Sequence, residues 1–214
     1  MMAERKKRRK KGSAAGLLFA LILLVFLAAA AVVVTLNLRW LYYQDIQWMN
    51  LEQASGMSAD AIRRNYDALI DYNLVWNRGP LVFPSLPMSQ GGRIHFEEVK
   101  RIFDGIQIAC IVSGVLSLWI LIATRRTGRR WLKITGILGL GLPAALGVLV
   151  AAGWEHFFVT FHQLVFQNDY WLFDPATDPV ILILPDGYFL QCAVLILALL
   201  FAGSILCLVR AGKR

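Results

Sequence analysis

Four stretches of the chain contain no Asp, Glu, Lys or Arg: residues 14–36 (AAGLLFALILLVFLAAAAVVVTL), 106–123 (IQIACIVSGVLSLWILIA), 134–152 (ITGILGLGLPAALGVLVAA) and 188–209 (YFLQCAVLILALLFAGSILCLV). A helix rises about 1.5 Å per residue, so each stretch is about long enough to cross a hydrocarbon core of roughly 30 Å. They predict four transmembrane helices. The first follows a basic stretch, as a signal peptide does, but its apolar run outlasts an h-region of about 7 to 15 residues and reads as a retained anchor.

Polar and apolar positions alternate differently in the two long connections, 37–105 and 153–187. In the first, Ser58 or Asp60 is placed to cap a helix through AIRRNYDALIDYNLVW. Ile62, Tyr66, Leu69 and Asn73 or Leu74 share one face of it, so it lies on the membrane surface or over the bundle. Pro80, Pro84, Pro87 and the pair Gly91-Gly92 then break regular structure before HFEEVKRIF leads into the second span. In the second connection WEHFFVTFHQLVFQ is expected to continue the third span. NDYWLFDPATDPVILILPDGYF, with its Asp-Pro pairs and Pro185, is expected to form a shaped irregular loop, and long irregular loops in compact proteins are usually functional.

Composition agrees with the pattern: 57% of the 214 residues are hydrophobic, 17% are charged, and the mean hydropathy is +0.56. The net charge of +8 raises the question of nucleic acid, and the placement of the charges answers it. Fifteen of the 22 basic residues lie in the tail 1–13, the connection 124–133 and the tail 210–214, together with one acid, Glu4; the two long connections hold the other seven with 13 acids. Excess Lys and Arg marks the cytoplasmic side. The expected architecture is an all-α integral membrane protein, a four-helix transmembrane bundle with two long extracytoplasmic loops and both termini inside. No nucleic-acid partner is expected. Trp40, Tyr42, Tyr43, Trp131 and Trp154 stand at span ends, where amphipathic rings prefer the headgroup level. No ionisable side chain lies within a span, which weakens a transporter reading. Pro143, with Gly139, Gly141 and Gly147, permits a kink and close helix approach in the third span. The three cysteines fall inside apolar blocks and read as small hydrophobes.

All three histidines, His95, His156 and His162, are expected on the outer side near the interface. A His₃ zinc site suits that metal's ligand preferences, but there is no HExxH spacing, and His156 and His162 diverge on a helix; no metal or cofactor is expected. General acid-base chemistry needs one imidazole with a pKa near the working pH, and His162 or His95 serves. Glu98, three residues after His95, either orients it or favours its cation, while a helix N-terminus favours the neutral ring. No nucleophile is evident: there is no GxSxG, and Ser85 and Ser89 lie in a loop without an elbow. An acyl-transfer enzyme of this kind would have a substrate that brings the nucleophile. A non-enzymatic partner-binding membrane module and an interfacial lipid hydrolase are the rival readings.

The segments NYDALIDYN, FPSLPMSQGGRIHFEEVK and FHQLVFQNDYWLFDPATDPVILILPDGYF resemble the bacterial lipoprotein intramolecular transacylases, four-span membrane enzymes of Gram-positive bacteria. The likeness runs over nearly the whole chain from the first span onward. It rests on two motifs: a His followed by x-x-acid-Val-Lys, and a Phe-His followed by an aromatic, Asn-Asp, Trp, Phe, Asp-Pro and a final Pro-acid. His95 and His162 take the places of the family's two functional histidines. Glu98 stands where the pattern has Asp, and Asp186 where it has Glu.

The resemblance implies that an acyl chain moves from the glyceryl sn-2 oxygen of an S-diacylglyceryl cysteine to the α-amine of the same cysteine, giving a lyso-form lipoprotein. Diacylglyceryl lipoproteins and membrane lipids are then the partners, and His162 is the general base. His95 then hydrogen-bonds the ester oxygen or leaving alkoxide, or the two histidines exchange roles. Asn168, Trp171 or Tyr66 is a candidate oxyanion donor, with Asp169, Glu98 and Asp186 supporting or positioning the substrate.

Overall fold

A computed structural model of the chain describes residues 2–125 and 130–212, with side chains from residue 14 on. The charged side chains expected at 1–13, 126–129 and 213–214 lie outside that description. The elements in chain order are α1 (Met2–Asn37), α2 (Arg39–Trp48), α3 (Leu51–Ser55), α4 (Ala59–Tyr72), α5 (Gln90–Ala123), α6 (Arg130–Ala152), α7 (Trp154–Val165) and α8 (Asp186–Gly212), with a 3₁₀ turn at Pro179–Leu182. Four segments are long and apolar enough to cross a membrane: Ala14–Asn37, Gln90–Ala123, Arg130–Ala152 and Asp186–Gly212. In the second, Arg93, Glu97, Glu98, Lys100, Arg101 and Asp104 precede the apolar segment. The first turns of α5, His95 included, are thus a polar extension of the span.

The chain divides into two compact units, and α1, α5, α6 and α8 contribute to both. One unit comprises Met1–Val32, Ile108–Val148 and Leu195–Arg214. Its outward faces are apolar, with Val115, Leu118, Trp119 and Val148 all exposed, as lipid-facing helices require. Inside it, small residues allow close approach. A Cβ on Gly139 would collide with the Ser204 hydroxyl, and one on Gly136 would stand 2.5 Å from Leu208 Cγ. Of the three glycines expected to serve this purpose only Gly139 does; Gly141 has open space around it and Gly147 has ordinary contact distance. Trp131, expected at headgroup level, is buried edge-on against Phe19.

The second unit comprises Val33–Gln107 and Leu149–Val194. Here α4 forms as expected: Ser58 accepts the Ala61 N–H at its N-terminus, and Ile62, Tyr66 and Leu69 face inward. The helix packs with α2 and α3, which supply an apolar partner for its inward face. Tyr42 is fully buried, not interfacial: its ring stacks on Tyr66 at 3.7 Å between centroids and its hydroxyl donates to Ile183 O at 2.6 Å. Buried amides fix the connections. Asn65 donates to Ser85 Oγ at 2.7 Å and accepts from the Ser85 N–H at 3.2 Å, while Gln107 donates to Asn73 O at 2.8 Å and accepts from Val75 N–H at 3.2 Å. Within the 154–167 segment, Trp154–Val165 forms a separate helix that does not continue the third span: α6 ends at Ala152, Gly153 is extended, and α7 restarts with the Phe157 N–H donating to Gly153 O.

Candidate active site

Every element of the site belongs to the second unit. The start of α5 is fixed by two acceptors. Ser89 Oγ takes the Gly92 N–H at 2.9 Å, which is an N-cap, and Asp178 Oδ1 takes the Ser89 N–H at 2.8 Å. Asp178 is buried and accepts from Thr177 through its other oxygen at 2.8 Å. Gly92 leaves the room for it, since a Cβ there would collide with Asp178 Oδ1. About a turn and a half further on, α5 presents His95, only 6% exposed, among the rings of Phe96, Phe166 and Phe173.

The partner histidine comes from α7. His162 stands with its ring centroid 6.2 Å from that of His95 and 33° from coplanar. Its Nδ1 lies 2.8 Å from Phe158 O, and a carbonyl can only accept, so Nδ1 carries the hydrogen and the neutral ring keeps its lone pair on Nε2. Beyond α7, Phe166 is extended and the chain turns back, which brings the Trp171 ring to 4.9 Å from His162. Asn168 holds this loop to α5 by donating to both carboxylate oxygens of Glu98, at 3.0 and 3.2 Å, while its own Oδ1 accepts the Tyr170 N–H at 3.1 Å. Loop 166–178 is therefore tied to α5 at Glu98 and at Ser89, on either side of His95.

Both imidazoles are held neutral. Burial, seconded by repulsion from His162 whenever that ring is protonated, lowers the His95 pKa to about 4 from an ordinary 6.5. Burial also lowers that of His162, opposed by the bond to Phe158 O and by the charge of Asp186. Desolvation thus decides between the influences weighed for His95, and the Glu98 carboxylate is engaged by Asn168. Two polar atoms of the site are buried without a partner, His95 Nδ1 and Trp171 Nε1. Buried polar groups are nearly always hydrogen-bonded, so orphans at one site are available for a ligand.

The other expected site residues are distributed as follows. Asp186 is exposed and acts on His162 through its charge; Asp169 is exposed, and its carbonyl accepts the Leu172 N–H at 3.0 Å. Tyr66 sits in the tyrosine cluster with its hydroxyl 2.7 Å from that of Tyr188, and burial keeps it protonated. His156 is exposed, and among the described residues no group of three or more His, Cys, Asp and Glu is arranged to hold a metal. Among the same residues no serine or cysteine is hydrogen-bonded to either histidine: Ser85 pairs with Asn65 and Ser89 caps α5. Asp178, Ser89 and Gly92 escaped the sequence reading. Their signal was a Ser-x-x-Gly N-cap and the second of two Asp-Pro pairs, both of which read equally well as turn chemistry.

These features define a helical integral membrane protein with a neutral histidine pair and no enzyme nucleophile bonded to it. The family model for lipoprotein intramolecular transacylase Lit matches residues 17–189, and the chain belongs to that family of membrane enzymes. The solved in meso structure of the membrane-integral Lit from Bacillus cereus matches with a TM-score of 0.87 at 36% identity, covering 92% of this chain and 94% of that one. A form of that enzyme with a histidine-to-arginine substitution matches with a TM-score of 0.80 at 34% identity over 96% and 94% of the two chains. A histidine-to-alanine form matches at 0.83 and 35% over 97% and 95%. No curated protein matches the chain significantly. The chain is thus a multi-pass membrane lipoprotein intramolecular transacylase, and the partner-binding and hydrolase readings fall away.

Proposed function

We propose that this transacylase moves the sn-2 acyl chain of an S-diacylglyceryl cysteine onto the α-amine of that cysteine, with His162 as general base, at the extracytoplasmic face. The observation that carries the assignment is the His162 Nδ1 to Phe158 O hydrogen bond, because it leaves Nε2 as the lone-pair nitrogen of a half-buried neutral ring.

The amine nitrogen attacks the ester carbonyl carbon, forming the N–C bond, and its proton passes to His162 Nε2. The tetrahedral oxyanion takes a hydrogen bond from the Trp171 indole N–H, which is otherwise unpartnered. Collapse breaks the bond between the acyl carbon and the glyceryl sn-2 oxygen, and His162 returns its proton to that leaving oxygen, with His95 as its hydrogen-bond partner. Amine and ester belong to one molecule, so positioning supplies effective molarities on the order of 10⁵ to 10⁸ M, and a base adds about 10² to 10⁴-fold. A serine or cysteine acyl-enzyme is unnecessary.

Acyl chains reach the site from the bilayer. Phe161, Leu164, Val165 and Leu172, on α7 and the loop after it, are exposed apolar side chains, as a lipid-facing approach requires. The excess of Lys and Arg at both termini and at 124–133 supports cytoplasmic ends and an outer histidine pair. Expression in a lipoprotein-making host lacking the activity, followed by mass analysis of lipopeptides, tests the reading. Expected is an unchanged lipopeptide mass with the acyl group now alkali-stable on nitrogen and a glyceryl hydroxyl freed. A mass reduced by one acyl chain would contradict it.

A further inference from the structure

A cleft of about 370 Å³, open on one side, is lined by Tyr72, Asn77, Arg78, Glu97, Lys100 and Arg101. It lies on a different face of α5 from His95. Successive residues turn by about 100°, so Glu97 points about 200° away from His95. Lys100 forms its buried floor. The ammonium donates to Leu74 O at 3.1 Å and to Asp104 Oδ1 at 2.8 Å and lies 5.5 Å from the Tyr72 ring centroid, so its charge is neutralised within the fold.

The two guanidiniums have no such partner. Arg78 is exposed and makes no hydrogen bond or ion pair among the described residues, yet its backbone is held, because Asn77 donates to Asp71 O at 3.0 Å and accepts the Gly79 N–H at 2.9 Å. Arg101 uses only Nε, toward Glu97 O at 3.3 Å. Two free arginines against the single carboxylate of Glu97 leave the cleft with one net positive charge. Guanidinium forks match phosphate oxygens geometrically, and Glu97 remains as an acceptor for a hydroxyl beside the phosphate.

Its depth identifies the source of that phosphate. Arg101 precedes the apolar segment of α5 by five residues, about 7.5 Å along the helix, and the headgroup layer beyond the hydrocarbon is roughly 5 to 8 Å thick on each side. Trp76, immediately before the Asn77–Gly79 turn, is 71% exposed, as an indole anchored at the headgroup level would be.

We propose that this cleft binds the headgroup of an anionic phosphodiester lipid, its phosphate held by Arg78 and Arg101 and a headgroup hydroxyl donating to Glu97. The site is independent of acyl transfer and is read by binding, so its failure leaves that reaction untouched. The test is native mass spectrometry of the full chain in detergent, titrated with phosphatidylglycerol, phosphatidylcholine or inorganic phosphate. Expected is one saturable phosphatidylglycerol that binds at least tenfold more weakly to the Arg78→Ala/Arg101→Ala variant, with phosphatidylcholine also at least tenfold weaker. The Arg63→Ala/Arg64→Ala variant, which removes the same charge from exposed positions on α4, should bind like the unaltered chain. Equal binding by the cleft variant, or equal loss in both double variants, overturns the proposal. Displacement of the lipid by millimolar inorganic phosphate overturns the lipid source in favour of a free-anion site.

Discussion

Asp178, from the loop before α8, accepts the backbone N–H of Ser89 at 2.8 Å and so positions the first turn of α5 from a place 89 residues further along the chain. The carboxylate fills space that only a glycine at 92 leaves open. Since both contacts lie within a turn or two of His95, the geometry of the histidine pair depends on them.

Removing that carboxylate should therefore cost stability and activity together. Asp178→Ala leaves the part-buried Ser89 N–H unpartnered, a penalty of about 1 to 3 kcal/mol. The midpoint of thermal unfolding in detergent should fall by roughly 2 to 12 °C. Gly92→Ala should do similar damage by displacing the same carboxylate, and should add little to Asp178→Ala when combined with it, because the two substitutions break one contact. Full additivity in the double variant would contradict the linkage.

The histidines should separate cleanly. His95→Ala and His162→Ala should each lower lyso-lipoprotein formation by about 10² to 10⁴-fold, the range of a lost general acid or base, with normal amounts of protein in the membrane. His156→Ala, at an exposed position, should stay within about threefold of the unaltered enzyme. Quantitative mass analysis of lipopeptides against protein abundance checks all three.

What was legible in the sequence followed from patterns that physics repeats along a segment. Charge-free runs marked the four spans, and Ser58 with Ile62, Tyr66 and Leu69 marked α4. His95 and His162 stand out as candidates through the two motifs, and the structure sets their rings side by side. What was missed depends on single long-range contacts. Nothing local shows that Asp178 returns to Ser89, that Glu98 is taken by Asn168, or that Tyr42 turns inward onto Tyr66. Nor does spacing show that Gly153 ends α6, since a glycine in an apolar run is often tolerated within a helix.

Acidity should affect the enzyme in two ways. The folded chain holds His95 neutral down to about pH 4, whereas the unfolded chain protonates it near 6.5. The unfolded state thus binds more protons in that window, and stability falls as the pH drops from 6.5 toward 4. Activity depends first on the substrate amine, with a pKa of about 7.7 to 8.0. The rate at low substrate should rise with pH to about 8 and level off. It should fall more steeply below 6.5, where His162 protonates. In His162→Ala the residual rate should keep the amine limb and lose the steeper one; a rate that rises on acidification would contradict the scheme.

Topology is open to direct labelling. With Cys110, Cys192 and Cys207 replaced by serine, a membrane-impermeant thiol reagent applied to intact cells should modify Gln90→Cys and spare Gly128→Cys. The reverse pattern would put the histidine pair on the cytoplasmic side and contradict the proposed orientation.

The most direct measurement of the central claim mixes two lipopeptides with distinguishable acyl chains and distinguishable peptides and follows both with the purified enzyme. Transfer within one molecule predicts that each peptide keeps its own acyl chain, now as an amide on the cysteine nitrogen, with no crossed product. Crossed products in quantity would show that acyl groups leave their parent molecule, and would contradict a site in which His162 and His95 act on a substrate that carries both donor and acceptor.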